Sequence, residues 1–194
     1  MADLARDLDS ALHDFLDWEA AQPERWELLN GESRMMTGGT GAHSLIKINL
    51  TSMFRRALKG SGCRPYDSDM KVVTPDRNVF YPDLSVSCGP PLLTETALYD
   101  PNLVVEVLSP SSAADDYGRK RRSYQSIPSL RHYMIVAQDC AQVELYTRYG
   151  KDWLLQMAEG LEATIRLEAL EIDLALAEIF DGILAESPDV VEQA

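Results

Sequence analysis

The run Leu103-Val104-Val105-Glu106-Val107-Leu108 constrains this 194-residue chain more than any other stretch. Five apolar residues in six, three of them β-branched, describe a strand covered on both faces, because a strand with one wet face alternates apolar with polar. A sheet buried on both sides needs a layer above and a layer below. The chain is therefore expected to fold in the α/β or α+β class, around a mixed sheet flanked by helices. Glu106 interrupts the run. A carboxylate there is costly to desolvate unless a cation, a metal or hydrogen-bond donors meet it. The plain alternative is a rim glutamate paired with a surface arginine.

The remaining pattern supplies the layers. Leu4, Leu8, Ala11, Leu12, Phe15 and Leu16 recur at three- and four-residue steps and predict a helix over 5–20, ended by Pro23. Trp26-Glu27-Leu28-Leu29 and Ser33-Arg34-Met35-Met36 flank Asn30-Gly31, a hairpin signal because both residues tolerate positive φ. A second helix is expected over 43–59, stopped at Gly60. Short strands follow near 69–73 and 82–87, divided by the turn Pro75-Asp76-Arg77-Asn78. After the Glu106 strand, Ser109-Pro110-Ser111-Ser112 offers turn and cap chemistry to a helix over 114–126. Strands are expected at 133–136, 143–146 and 153–156, then a short helix from Leu174 to Ile179. The length suits one domain, taken as 1–187, with 188–194 as a tail.

Charge narrows the partners less than its total suggests. The net charge is −13, which by itself argues against nucleic acid. Residues 1–33 hold nine acids and two bases, and 159–194 hold ten acids and one base, so the acidity belongs to the ends. The middle is mildly basic, with Arg119-Lys120-Arg121-Arg122 its densest cluster: a solvated helix face, or a phosphate-binding patch built on Arg119, Arg121 and Arg122. Cys63, Cys88 and Cys140 are widely spaced and odd in number, which reads as reduced thiols without a zinc site or disulfide framework. No apolar stretch is long enough to span a membrane and the acidic start lacks a signal core, so a cytoplasmic protein is expected.

Two further groups gather around Glu106. Asp83 follows Pro82 at the start of another expected strand, either capping its neighbours or joining Glu106 on a hard divalent cation such as Mg²⁺. Asp116, Lys120 and Tyr124 stand at i, i+4 and i+8 on one helix face, and that helix must fold back along the sheet after the Glu106 strand. Lys120 could then reach the carboxylate pair. An exposed Asp116–Lys120 pair is the plain alternative, worth only ~0.3–0.5 kcal/mol.

Pro82-Asp83, Glu106-Val107-Leu108-Ser109-Pro110-Ser111, Asp116 and Lys120, in this order, resemble the Uma-type family of restriction endonucleases, a branch of the PD-(D/E)XK nuclease superfamily. Trp26-Glu27-Leu28-Leu29-Asn30-Gly31-Glu32, His43, Ile127-Pro128-Ser129-Leu130-Arg131-His132-Tyr133 and Leu176-Ala177-Glu178-Ile179-Phe180 extend the likeness over about 10–182. The resemblance implies a restriction-endonuclease-like fold and Mg²⁺-dependent hydrolysis of DNA, with Mn²⁺ as a substitute. It implies Asp83 and Glu106 as metal ligands, with the Val107 carbonyl as an extra one, and Lys120 as the catalytic lysine. Glu27 would be a third acid and His43 a supporting neighbour. The chain departs from the superfamily in one place: the lysine two residues after the glutamate is replaced by Leu108, so Lys120 would supply the ammonium from the next helix. Bottom-up, Glu27 is otherwise a hairpin residue and His43 a helix cap.

The expected function is a metal-dependent endonuclease. The rival is a nuclease-like scaffold serving as a non-catalytic binding or regulatory module, favoured by the low basic content and disfavoured by the intact Asp83, Glu106 and Lys120. A homodimer is expected, through the first helix with Trp18 or through the 133–156 strands, because two-fold pairs suit cleavage of both strands of a duplex.

Overall fold

The structure is a computed structural model that describes residues 2–109 and 113–184. The cap chemistry at 110–112 and the tail at 188–194 lie outside the described residues. Helix α1 (Ala2–Ala20) leads into strands β1 (Trp26–Leu29) and β2 (Glu32–Met35), joined by Asn30 and Gly31 at φ +53° and +83°, the turn their identities require. Helix α2 (Gly41–Ala57) starts at Thr40, whose hydroxyl accepts the His43 backbone N–H. Strands β3 (Cys63–Asp67), β4 (Lys71–Val73), β5 (Val79–Phe80), β6 (Leu84–Cys88), β7 (Ala97–Leu98) and β8 (Leu103–Val107) follow. One continuous helical segment comprises α3 (Ala113–Asp115), a π-helical turn at Asp116–Lys120 and α4 (Arg121–Gln125). Strands β9 (His132–Val136), β10 (Gln142–Tyr149), β11 (Asp152–Glu159), β12 (Thr164–Leu167) and β13 (Ile172–Ala175) and helix α5 (Leu176–Ile179) complete the described chain.

The expected mixed sheet is present. Its six strands run β11-β10-β9-β8-β6-β3, with β8 and β9 parallel and the other neighbours antiparallel. A second sheet, β2-β1-β5-β4-β7, and a small β12–β13 ladder pack around it. Strand β8 is buried along its whole length, and its alternation divides the interior in two. Leu103, Val105 and Val107 enter a core with Leu50 and Phe54 of α2, Leu145 of β10 and Leu174 of β13. Val104 enters the opposite core with Phe80, Tyr124, Ile127 and Tyr133. Glu106 shares the parity of Val104 and so faces the α4 side. The Thr74–Asn78 turn ties that side together: Asn78 Nδ2 donates to Ser123 Oγ, which donates to Asp76. This turn lies between the 69–73 and 82–87 strands as expected, and it leads first into the two-residue β5.

Other expectations need correction. Strands β3, β5, β7, β12 and β13 were not anticipated, and the helix expected from Leu174 begins only at Leu176, because Ile172–Ala175 pairs with β12. Cys63 and Cys88 are not reduced thiols: they face each other across β3 and β6 and form a disulfide. Strand register, which spacing does not reveal, brings them together. Cys140 is free and exposed. No described helix is long and apolar enough to cross a membrane.

His132, at the start of β9, has no exposed surface. The Ala169 backbone N–H donates to its Nε2 at 3.1 Å, and its Nδ1 lies 3.0 Å from Thr147 Oγ1, so the ring is held neutral with its proton on Nδ1. Burial pulls its pKa from 6.5 down to about 4. The unfolded chain therefore takes up a proton that the folded chain refuses between these values. Stability is expected to be full above pH 6.5 and to fall by up to about 3 kcal/mol as pH drops toward 4. Thermal melts between pH 7 and 4.5 check this, with His132→Gln expected to lose that share of the acid sensitivity.

Candidate active site

Antiparallel pairing positions the two central acids. The β6–β8 ladder matches Val86 with Leu103, Ser85 with Val104 and Leu84 with Val105, so the next facing residues are Asp83 and Glu106. Both line one cleft of about 320 Å³, with Glu27, Arg34, His43, Tyr81 and Lys120 among its walls. Asp83 Oδ2 accepts the Val107 backbone N–H at 2.7 Å, which fastens the loop before β6 to the end of β8. Helix α2 adds two basic side chains at i and i+4: His43 Nε2 lies 3.2 Å from Asp83 Oδ2 and Lys47 Nζ 3.3 Å from Oδ1. Burial pushes the Asp83 pKa up, but the His43 hydrogen bond, the His43 and Lys47 charges and the Val107 N–H outweigh it, and the net direction is down.

Glu106 is in the opposite condition. Burial is the largest influence and drives its pKa well above the usual range; the nearby Asp116, Asp83 and Glu27 push the same way, against Lys120. Tyr124 donates to Glu106 Oε1 at 2.9 Å, and Lys120 Nζ approaches the same oxygen at 3.5 Å. The ammonium also meets Glu27 Oε1 at 3.0 Å and Asp116 Oδ1 at 3.6 Å. Burial alone would lower the Lys120 pKa; the charges of Glu106, Glu27 and Asp116 prevail and raise it. Lys120 is thus a fixed cation. The Tyr124 phenol, raised by burial and then by Glu106 and Glu27, remains a donor.

The residues singled out in sequence separate into two groups. Glu106, Lys120, Glu27, Asp116 and Tyr124 form one contact network, and Asp83 with His43 faces it across the cleft. Asp116 and Lys120 are buried, so the exposed-pair alternative is ruled out, and the Glu27 carboxylate accepts from the Tyr81 backbone N–H as well as from Lys120. The cap at the start of α2 is Thr40, and the His43 side chain goes to Asp83 instead. Arg119, Arg121 and Arg122 do not line the cleft. Arg119 is paired with Asp115, and Arg121 donates to Tyr146 and lies 4.9 Å over its ring. Leu108, where the superfamily keeps its lysine, packs at the margin of the Tyr124 core.

Sequence reasoning passed over Arg34 and Gly39 on the cleft wall and Lys47 beside it. Lys47 was legible as the i+4 neighbour of His43. Arg34 was legible as the cross-strand partner of Glu27, once Asn30-Gly31 fixes the hairpin register. Gly39 carried no signal: a Cβ there would stand 2.8 Å from His43 Nδ1, so only glycine lets the loop lie over that ring.

Among the described residues no three His, Cys, Asp or Glu side chains form a ready-made metal cage. The donors still suit a hard divalent cation. Mg²⁺ is commonly held by one or two carboxylates with water filling its other positions, and Asp83 and Glu106 are such a facing pair. The excess of buried carboxylates over Lys120 gives a cation something to neutralise.

Comparison with known proteins covers nearly the whole chain. Residues 12–178 match the family Uma2, described as "Putative restriction endonuclease". Two Synechocystis proteins, both named as uncharacterized, are similar: slr1290 is 36% identical, with 84% of this chain and 86% of that protein covered, and sll1609 is 30% identical, with 82% and 93% covered. The crystal structure of a "putative nuclease belonging to DUF820" from Anabaena variabilis superposes with a TM-score of 0.73, covering 89% of this chain and 98% of that one. At 18% identity that last likeness speaks for the fold alone.

Proposed function

The chain belongs to the Uma2 family of restriction-endonuclease-like proteins, and from that premise we propose that its cleft hydrolyses phosphodiester bonds of DNA with a divalent cation, Mg²⁺ or Mn²⁺ in its place. The observation that carries this reading is the convergence of Asp83, Glu106 and Lys120, from a loop, a central strand and a π-helical turn, on one cleft. A structural scaffold has no need to bury three carboxylates around a lysine, and such a cluster costs stability.

Asp83 and Glu106 would hold the cation. Bound there, it would act as a Lewis acid toward water and the phosphoryl oxygens. Asp83, kept ionised by His43, Lys47 and the Val107 N–H, would be the anionic ligand at all times. Glu106, oriented by Tyr124, would be the second once without the proton that its burial favours. Lys120, already held as the ammonium by its carboxylates and so unable to take a proton from water, would lend its charge to the phosphorus-bound oxygens in the transition state. Asp116 and Glu27 hold that ammonium in place. Arg34, on the cleft wall, is paired with Asp115 at 2.8 Å and Glu32 at 3.3 Å and would exchange those carboxylates for an adjacent phosphate.

The test is cleavage of plasmid, single-stranded DNA and RNA with Mg²⁺ or Mn²⁺, with and without chelator, beside an Asp83→Asn control. Metal-dependent cleavage that the control lacks supports the reading. Inertness on every substrate with either metal would sink it and favour the non-catalytic module instead.

A further inference from the structure

Strand β11 ends the six-stranded sheet, so one of its long edges has no strand beside it. An unprotected edge of eight residues invites pairing, and proteins usually blunt such edges with proline, an inward lysine or a bulge. Asp152–Glu159 contains no proline or lysine, and its pairing with β10 runs without a bulge. The strand is also apolar on both faces. Leu155 and Met157, 45% and 52% exposed, sit with partly buried Trp153 on one face, and Leu154, 57% exposed, sits on the other. An edge facing only water has no reason to carry apolar residues on both faces.

We infer that β11 pairs antiparallel with β11 of a second copy, about a two-fold axis at Leu155. The sequence of the strand is complementary to itself in this register. Leu155 faces Leu155 of the second copy, Trp153 faces its Met157, and Lys151 faces its Glu159, with the same pairs repeated across the axis. One face thus holds an apolar row of aromatic, thioether and leucine contacts, closed at each end by an opposite-charge pair. Neighbouring registers lose this match. Slipping one residue one way sets Asp152 against Glu159, like against like. Slipping the other way sets Trp153 against Gln156 and leaves Lys151 opposite Ala158. Either slip also turns the apolar face of one copy toward the opposite face of the other. Trp18, the other apolar candidate, is already packed against Phe15 and Trp26. The pairing is independent of whether the cleft cleaves DNA.

Light scattering or sedimentation of the full chain at micromolar concentrations tests the interface. Wild-type protein is expected at twice 21.7 kDa. Leu155→Glu, at an exposed position, should remain folded by circular dichroism and run as a monomer. Lys151→Glu and Glu159→Lys should each weaken the dimer, and the double reversal should restore it. Within one chain the two side chains are about 27 Å apart, so rescue can only come from contact between copies. A wild-type monomer, a dimer that Leu155→Glu leaves intact, or single reversals without rescue in the double would each overturn the pairing. Should Leu155→Glu fail to fold, the charge-reversal series decides alone.

Discussion

Lys120→Met is expected to lower phosphodiester cleavage by about 10²-fold or more, the scale for losing one positioned charge-stabilising group. The substitution keeps most of the apolar stem and removes the ammonium, which lies 5.5 Å from the centre of the Phe80 ring. Mn²⁺ affinity, followed by calorimetry, should hold or tighten slightly, since a positive charge leaves the neighbourhood of the ligands. Stability should fall at neutral pH by about 3 kcal/mol, because Glu106, Glu27 and Asp116 are left without their shared cation. That loss should shrink as pH falls from 7 toward 5: Glu106, its pKa already raised by burial, takes up a proton that the unfolded chain does not. Near-normal cleavage would show that the ammonium is not in the reaction's path. Lys71 is poorly placed to substitute, since Glu19 holds its Nζ at 2.5 Å.

Asp83→Asn and Glu106→Gln should both abolish detectable metal-dependent cleavage, yet shift stability in opposite directions. Asp83 is better satisfied as a carboxylate than water would make it, so its amide should cost about 1–3 kcal/mol. Glu106 is worse off as a carboxylate, and a glutamine there still accepts from Tyr124 without crowding Asp116, Asp83 and Glu27. Glu106→Gln should therefore melt above the wild type while losing activity, the trade expected where function stores instability. Melting curves with the metal removed by chelator separate the two variants. If both melted lower, Glu106 would be held by donors that offset its burial.

The central strand and its acid were legible because a carboxylate in a doubly covered strand has few ways to be satisfied. Lys120 was legible from helix periodicity, and Asp83 from its place before a strand. What escaped had physical reasons. Strand β3 contains Pro65 and two charged residues, a composition that argues against a strand except at a sheet edge, where β3 lies. Strands β12 and β13 alternate cleanly, but at four residues each they are short: β12 was passed over, and the end of β13 was taken into the expected helix at Leu174. The Cys63–Cys88 bond depended on the register of that unrecognised edge strand. The basic cluster at 119–122 was misleading as a patch, because a helix turns consecutive residues to different sides: Lys120 goes inward, Arg119 to Asp115 and Arg121 to Tyr146.

The π-helical turn at Asp116–Lys120 gives this site an evolutionary weak point. Such a turn is an α-helix carrying one surplus residue. The wide turn takes up that residue and keeps the chain beyond it in phase, so Lys120 and Tyr124 still reach the Glu106 side. Deleting one codon inside it, Gly118 for example, would close the turn and shift Lys120 against Asp116 by the rise of one residue, about 1.5 Å. The ammonium meets its three carboxylates at 3.0 to 3.6 Å, so a shift of that size would unseat it. One residue more or less in this turn is a change that the fold would tolerate and the site would not.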